Sequence, residues 1–485
     1  MVYLGIDIGT SGVKAILMAA NGNVIAQAVV SLPISRPHPL WSEQNPADWW
    51  AATNAAVQTL PEEDRRRVHA IGLAGQMHGA TLLDAADQPT RPAILWNDGR
   101  SERACAMLEG DIPELRHITG NAAMPGFTAP KLVWLRQNEP EVFERTRKVL
   151  LPKDYVRLLM TGAYASDMSD SAGTLWLNVE QRAWSEMVLD ACGLTKDHMP
   201  ELFEGCAVTE DILPRIAHDW NIPIGTPVVA GGGDNAAGAV GMGVTRQGDA
   251  FLSLGTSGVL FVVDGAYHPN AERGVHTFCH ALPGRWHQMA VMLSAASCVD
   301  WATRLVGAND AGALIAAAEA DGHFGASRAV FLPYLSGERT PHNNPHAKGV
   351  LFGLDHDSGA AHVGQAVMEG VALGFADGLS VLGSGASIET FSVVGGGSKS
   401  LYWGRILAAA LNRPLVYRKN ADVGPALGAA RLAQMGADGQ TEPQFDAPDI
   451  DFEIVPEPND VAFMAEQHQR FRKLYHATQD LLERT

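Results

Sequence analysis

The chain has 485 residues, enough for at least two domains, and with 46% hydrophobic and 19% charged residues it can bury sizeable cores. Lys and Arg number 36 against 54 Asp and Glu, and the formal charge of -18 argues against nucleic acid or anionic membrane as a partner. Small anionic ligands stay open, because they need only a local nest of amides and a cation.

The segment Met1-Val2-Tyr3-Leu4-Gly5-Ile6-Asp7 has no basic n-region, so no secretory signal is expected, and no apolar run is long enough to span a bilayer. The five cysteines (Cys105, Cys192, Cys206, Cys279, Cys298) lack CxxC spacing and read as small buried hydrophobes of a reducing cytoplasm. His276, Cys279, His280 and His287 lie close in sequence without a second Cys pair. Core or cleft packing is expected there in preference to zinc.

In chain order, the first feature is Gly-Thr-Ser-Gly-Val at 9–13, between the apolar runs Leu4–Ile8 and Ala15–Met18. The same string returns at 255–259, between Ala250–Leu254 and Leu260–Val263, about half a chain away. Each copy predicts a turn between two strands, and Asn21-Gly22 predicts another turn leading into a third strand over Val24–Val30. The simplest account is two similar α/β domains in tandem, divided within Thr245–Asp249. Pro227–Ala230 predicts a buried strand, Gly231–Asn235 a turn, and Ala236–Val244 a small-residue helix. Gly312–Ala320 predicts a plain helix with no chemistry to assign. Phe391–Val394 leads through Gly395-Gly396-Gly397 into a helix bearing Trp403, Ile406, Leu407 and Leu411, and Asp422-Val423-Gly424-Pro425 opens a last one over Ala426–Leu432.

Glycine-rich turns expose backbone N–H groups and let a phosphate approach. Thr10, Ser11 and Thr256 add hydroxyls, Gly255 adds an amide, and Lys14 adds charge. A lone turn of this kind is ordinarily just a hairpin. Two copies, the first behind Asp7, point to one nucleotide held between two domains, with Asp7 placed to hold Mg²⁺ directly or through water. Asp234-Asn235 follows a triple glycine at a strand end, where open sheets place reactive groups. Asp234 could merely cap the next helix, but the bare turn leaves its carboxylate open to a substrate hydroxyl. Gly396 and Gly397 suit phosphate or ribose contact.

Through these segments the chain resembles the FGGY family of carbohydrate kinases. Asp7–Lys14 is similar to the family's first phosphate motif, Phe251–Gly258 to the second, Val394–Ser398 to its adenosine motif, and Gly424–Ala430 to its closing helix. Two signatures also resemble the family's: Gly126, Thr128, Lys131, Leu132, Trp134 with Gln137-Asn138, and Gly349–Leu354 with His362-Val363 and Ala366–Glu369. Tyr334–Pro341 is another similar segment. Gln76-Met77-His78-Gly79 and Trp96–Arg100 resemble the members that act on xylulose. Pro152–Tyr155 and Asp167–Asp170 do likewise, whereas glycerol kinases carry an Arg-Glu pair in place of Met77-His78.

The resemblance implies two actin-like, ribonuclease-H-like ATPase domains in tandem with an interdomain cleft. Residues 1–247 would carry the sugar site, the first hairpin and the catalytic aspartate, and residues 248–485 the ATP site. It implies ATP-dependent phosphorylation of D-xylulose to D-xylulose 5-phosphate in the cytoplasm, with Mg²⁺. Asp234 and Asp7 would be catalytic. Gln76, Met77, His78, Asp234 and Asn235 would meet the sugar, while Thr10, Ser11, Lys14, Gly255, Thr256, Gly396 and Gly397 meet the nucleotide. A homodimer stays open, as do two other readings: a kinase for another ketose or polyol such as ribulose, and a non-catalytic sugar-sensing ATPase of the same scaffold.

Overall fold

The computed structural model describes residues 1–322, 324, 329–383, 388–419 and 424–482; Asp422 and Val423, expected to open the last glycine-proline helix, lie outside the described residues. The first half is built on a sheet of strands β1 (Val2–Ile8), β2 (Gly12–Ala19), β3 (Val24–Ser31), β4 (Val68–Gly75), β5 (Val208–Asp211), β6 (Pro227–Val229) and the short β7 (Gly232–Gly233). Their order is β5-β6-β4-β1-β2-β3, with β7 on β4. The second half repeats the plan with β8 (Ala250–Leu254), β9 (Gly258–Asp264), β10 (His276–Cys279), β11 (Trp286–Met292), β12 (Phe391–Val394), β13 (Leu415–Arg418) and β14 (Ile450–Ile454), ordered β10-β11-β9-β8-β12-β13-β14.

Both sheets share one core arrangement. A hairpin (β1/β2 or β8/β9) has its first strand parallel to a neighbour (β4 or β12). That neighbour is parallel to the next strand (β6 or β13), and an antiparallel strand lies beyond (β5 or β14). The repeated turn string thus marks a repeated sheet, and the α/β class holds for both halves.

Six helices flank the strand ends and turns that carry the candidate residues: α1 (Pro152–Thr161), α2 (Asp234–Met242), α3 (Ala296–Val306), α4 (Ala311–Asp321), α5 (Leu401–Leu411) and α6 (Pro425–Ala437). The helix expected over Ala236–Val244 begins two residues earlier, because Gly233 still pairs with Gly75 and the chain turns helical directly after it. It ends at Gly243, whose φ of 75° is the left-handed cap that an ordinary residue resists. Helix α6 belongs to the second half of the sequence yet packs on the first sheet. Ala429 sits in a cluster with Ala74 and Ala237, and Ala426 and Ala430 join Tyr3, Ile16 and Val240. Small residues let the helix approach that closely: a Cβ on Gly5 would stand 2.0 Å from the Ala426 carbonyl oxygen, and one on Gly72 1.9 Å from that of Ala429. Among the described residues no helix is long and apolar enough to cross a membrane, and all five cysteines are free and buried.

Candidate functional site

The parallel register explains why distant residues meet. Ile8, Gly75 and Gly233 are in register on β1, β4 and β7, so the residues that follow them leave the sheet side by side. Gln76 donates its backbone N–H to the Ile8 carbonyl at 2.9 Å. Asp7 lies one residue before the end of β1, opposite Lys14 across the hairpin. Asp234 opens α2, with Gly233 in the cap position.

Asp7 and Asp234 are half-buried. Burial raises the Asp234 carboxyl to about 6, held back by hydrogen bonds to its Oδ1 from the Asn235 backbone N–H at 2.7 Å and the Asn235 Nδ2 at 2.9 Å. Burial raises Asp7 to about 7, the Asp234 charge adds to the rise and Lys14 opposes it. The two carboxyls interact, so the charge on Asp234 makes ionisation of Asp7 harder. The Asp7 Oδ1 is buried with no hydrogen-bond partner, which fits a carboxylate waiting for a hard cation. Both Asn235 bonds fall on Asp234 Oδ1, so Oδ2 is the oxygen left to accept a proton.

Gln76, Met77 and His78 follow β4. Gln76 is 1% exposed, and both ends of its amide are bonded: Oε1 accepts from the Thr10 hydroxyl at 3.0 Å and Nε2 donates to Gln44 Oε1 at 2.9 Å. Gln44 also donates to the Thr10 carbonyl at 2.7 Å, and Trp96 Nε1 donates to the Thr10 hydroxyl at 3.0 Å. In this arrangement Gln76 supports the first hairpin, and the Thr10 hydroxyl proton is already committed to it. Met77 fills the space between Gly173 and Gly233, where a Cβ on either glycine would come within 3.0 Å of its side chain.

His78 has a φ of 70°, a strained left-handed backbone for a residue with a side chain. Its carbonyl is held by Lys131 Nζ at 2.7 Å and by the Thr128 hydroxyl at 3.2 Å, which gives those two signature residues a structural task. Its Nδ1 lies 2.6 Å from the Gly173 carbonyl, an acceptor, so Nδ1 carries the proton and Nε2 is an acceptor. Burial drops the ring's pKa to about 3, so it is neutral. Phe127 packs edge-on against it at 4.8 Å, with Phe278 behind at 6.4 Å.

In the second half, the Gly255 and Thr256 carbonyls accept from the Ala296 and Ala295 N–H groups at 2.9 Å each, which ties the second hairpin to the start of α3. A cavity of about 940 Å³ opens beside it, lined by Gly255, Thr256, Gly396 and Gly397 together with Glu319 of α4 and Tyr402 of α5. The structure thus brings the four expected second-half nucleotide residues to one cavity. The helix expected over Gly312–Ala320 is present as α4, and its Gly312, Ile315, Ala316 and Glu319 form one wall of that cavity. Thr10, Ser11 and Lys14 do not line it.

Gln44 and Gly173 were not legible in the sequence, because their contacts cross 32 and 95 positions of chain. The histidines of β10 and β11 pack on aromatic rings, His287 stacking on Phe261 at 4.4 Å and His276 on Phe278 at 5.6 Å, with His276 also bonded to Asn121 and Arg339, and burial lowers the pKa of both. Among the described residues no group of His, Cys, Asp and Glu is arranged to hold a metal ion by itself.

Known proteins resemble the chain along its whole length. The N-terminal domain model of the FGGY family of carbohydrate kinases matches residues 2–241 and the C-terminal domain model matches residues 250–437. A xylulose kinase of Escherichia coli K12 is 53% identical over 478 residues, covering 98% of each chain, and one of Klebsiella pneumoniae is 52% identical over 485 residues, covering 99% of this chain and 100% of its own. The crystal structure of a kinase from Brucella ovis, described as a xyloylose kinase, superposes with a TM-score of 0.96 at 47% identity, covering 99% of this chain and 100% of that one. Family models over both halves and relatives this similar leave one conclusion: the chain belongs to the FGGY family of carbohydrate kinases.

Proposed function

We propose that the protein transfers the γ-phosphoryl group of ATP to D-xylulose, giving D-xylulose 5-phosphate. The observation that carries this reading is that Met77 packs against both Gly233, the residue before Asp234, and Gly173, the partner of His78, while the Asp234 carboxyl lies near enough to Asp7 for their charges to interact. The named activity of relatives more than half identical over nearly the whole chain supports the same substrate.

Phosphoryl transfer asks the protein mainly for positioning and charge stabilisation. In this reading the ketose lies against Met77, His78, Asp234 and Asn235. His78 Nε2 accepts from one sugar hydroxyl, because its other nitrogen is spent on Gly173. Asp234 Oδ2 accepts the proton of the hydroxyl that attacks phosphorus, and Asn235 fixes the carboxylate's orientation through Oδ1. ATP occupies the cavity beside Gly396 and Gly397, its phosphates directed to Gly255 and Thr256. Thr10 and Ser11 contribute backbone N–H groups from the opposite hairpin, since the Thr10 hydroxyl is committed to Gln76, and Lys14 contributes charge. Asp7 is the residue that would hold Mg²⁺, which when bound neutralises phosphate charge.

Residues 1–247 and 248–485 would act as two lobes that close over the substrates and exclude water, the competing acceptor. The setting is the cytoplasm, where buried free thiols stay reduced. ADP release measured across xylulose, ribulose, hexuloses and glycerol tests the substrate. The highest kcat/KM should fall on xylulose, and a clear preference for ribulose or a polyol would refute the assignment.

A further inference from the structure

Two segments that resemble the xylulose-acting members, Pro152–Tyr155 and Asp167–Asp170, contribute no group to the site above, yet they meet directly beneath it. Lys153 and Asp154, on the first turn of α1, are fully buried with Asp167 and Asp170. Lys153 Nζ lies 2.6 Å from Asp154 Oδ1, 2.8 Å from Asp167 Oδ1 and 3.2 Å from Asp170 Oδ2. Arg157, one turn on and equally buried, stands 4.0 Å from Asp154 Oδ1. Its guanidinium donates to the carbonyls of Val229, at 2.7 Å, and of Ala230.

Each member also reaches a strand end that carries the proposed site. The Val229 and Ala230 carbonyls immediately precede Gly231–Gly233 and Asp234. Asp167 Oδ2 accepts from the Ser169 hydroxyl at 2.5 Å, and the Ser169 oxygen accepts the Gly233 N–H at 3.1 Å, next door to Asp234. On the other side, a Cβ on Gly75 would stand 3.1 Å from Lys153 Cβ, so the β4 end that leads to Gln76, Met77 and His78 rests on this lysine.

The charges do not cancel, since three carboxylates face one ammonium and one guanidinium, and Asp170 holds only the longest of the three contacts to Lys153. A surplus buried charge is costly, and burial works against ionising the carboxylate that carries it. Burial raises Asp170 well above the usual carboxylate range, with Lys153 pulling it back and Asp154 and Asp167 adding to the rise. Burial also works against the Lys153 charge, but the three carboxylates outweigh it and hold the ammonium above the usual lysine range.

We propose that Lys153, Asp154, Arg157, Asp167, Ser169 and Asp170 form a buried clamp that positions Asp234 and the Gln76–His78 segment. These are positioning residues that touch neither sugar nor nucleotide. The inference rests on the proposed ketose kinase activity for its kinetic consequence, and on the structure alone for its mechanical one.

Variants of the full chain test it. Ser169→Ala removes the hydroxyl between Asp167 and the Gly233 N–H. Hydrogen exchange across residues 229–236 should quicken while the melting temperature stays near that of the parent. With xylulose, kcat should fall roughly 10- to 100-fold through misplacement of Asp234, and KM for ATP should stay within about twofold. Asp167→Asn weakens the link from Lys153 through Ser169 to Gly233 and should melt earlier than the parent. Parental exchange at 229–236 in Ser169→Ala, or Asp167→Asn melting with the parent, would overturn the clamp. A parent protein without xylulose-dependent turnover would overturn the functional reading instead, and the exchange and melting results would still decide the clamp.

Discussion

Gly428 of α6 lies so close to Ala237 of α2 that a Cβ at position 428 would stand 1.7 Å from the Ala237 carbonyl oxygen. Gly241 meets α6 in the same way, since its Cβ would come within 2.7 Å of the Gly424 carbonyl. These two helices, one from each half of the sequence, touch backbone to backbone, and α2 carries Asp234 at its first position. We expect Gly428→Ala to force them apart. Overpacking typically costs about 1–3 kcal/mol, and a clash with rigid backbone belongs at the upper end. Urea unfolding of the variant reads this cost, and a parental midpoint would remove the need for glycine there.

The acid limb of activity should report Asp234. With its carboxyl raised to about 6, the proton-accepting form is lost as pH falls through that value. The plot of kcat/KM for xylulose against pH should therefore drop tenfold per unit below about pH 6. A flat profile down to pH 5 would mean that no group with this environment takes the proton.

Asp7 should leave its mark on stability as well. Its folded-state pKa, about 7, lies above the unfolded value, so its contribution to stability is fully present below the unfolded pKa and lost as pH rises through about 7. Asp7→Asn removes the penalty of ionising the buried group. In the absence of Mg²⁺ the variant should gain more in melting temperature over the parent at pH 8 than at pH 5. An equal difference at both pH values would contradict the raised pKa.

The sequence exposed the parts of this design that are local or repeated. The two Gly-Thr-Ser-Gly turns mark equivalent hairpins, and Gly231–Gly233 delivers Asp234 at a strand end. The packing of α6 was not legible, since its alanines and glycines have an ordinary helical pattern and their partners lie on β1 and β4, hundreds of residues earlier. The bonds of Gln76 to Gln44 and Thr10 were hidden for the same reason, since both partners are far away in the chain. The left-handed backbone of His78 is equally hidden, because Lys131 and Thr128 hold it from 53 and 50 positions away.

His78 itself separates a substrate role from a packing role. His78→Ala should lower kcat/KM for xylulose by roughly 1–3 kcal/mol, the worth of one buried hydrogen bond left unmade, with ATP affinity unchanged. Loss of contacts with Phe127 and the Gly173 carbonyl should also lower the melting temperature. Parental kinetics with a lowered melting temperature would make His78 a core residue only.

The most direct test compares Asp234→Ala with the parent for xylulose-dependent ADP release, with xylulose binding measured by calorimetry on the same preparations. A general base contributes about 10²- to 10⁴-fold in rate, so kcat should fall by that factor while the sugar Kd stays within a few-fold. A variant that binds xylulose and turns it over near the parental rate would contradict the account.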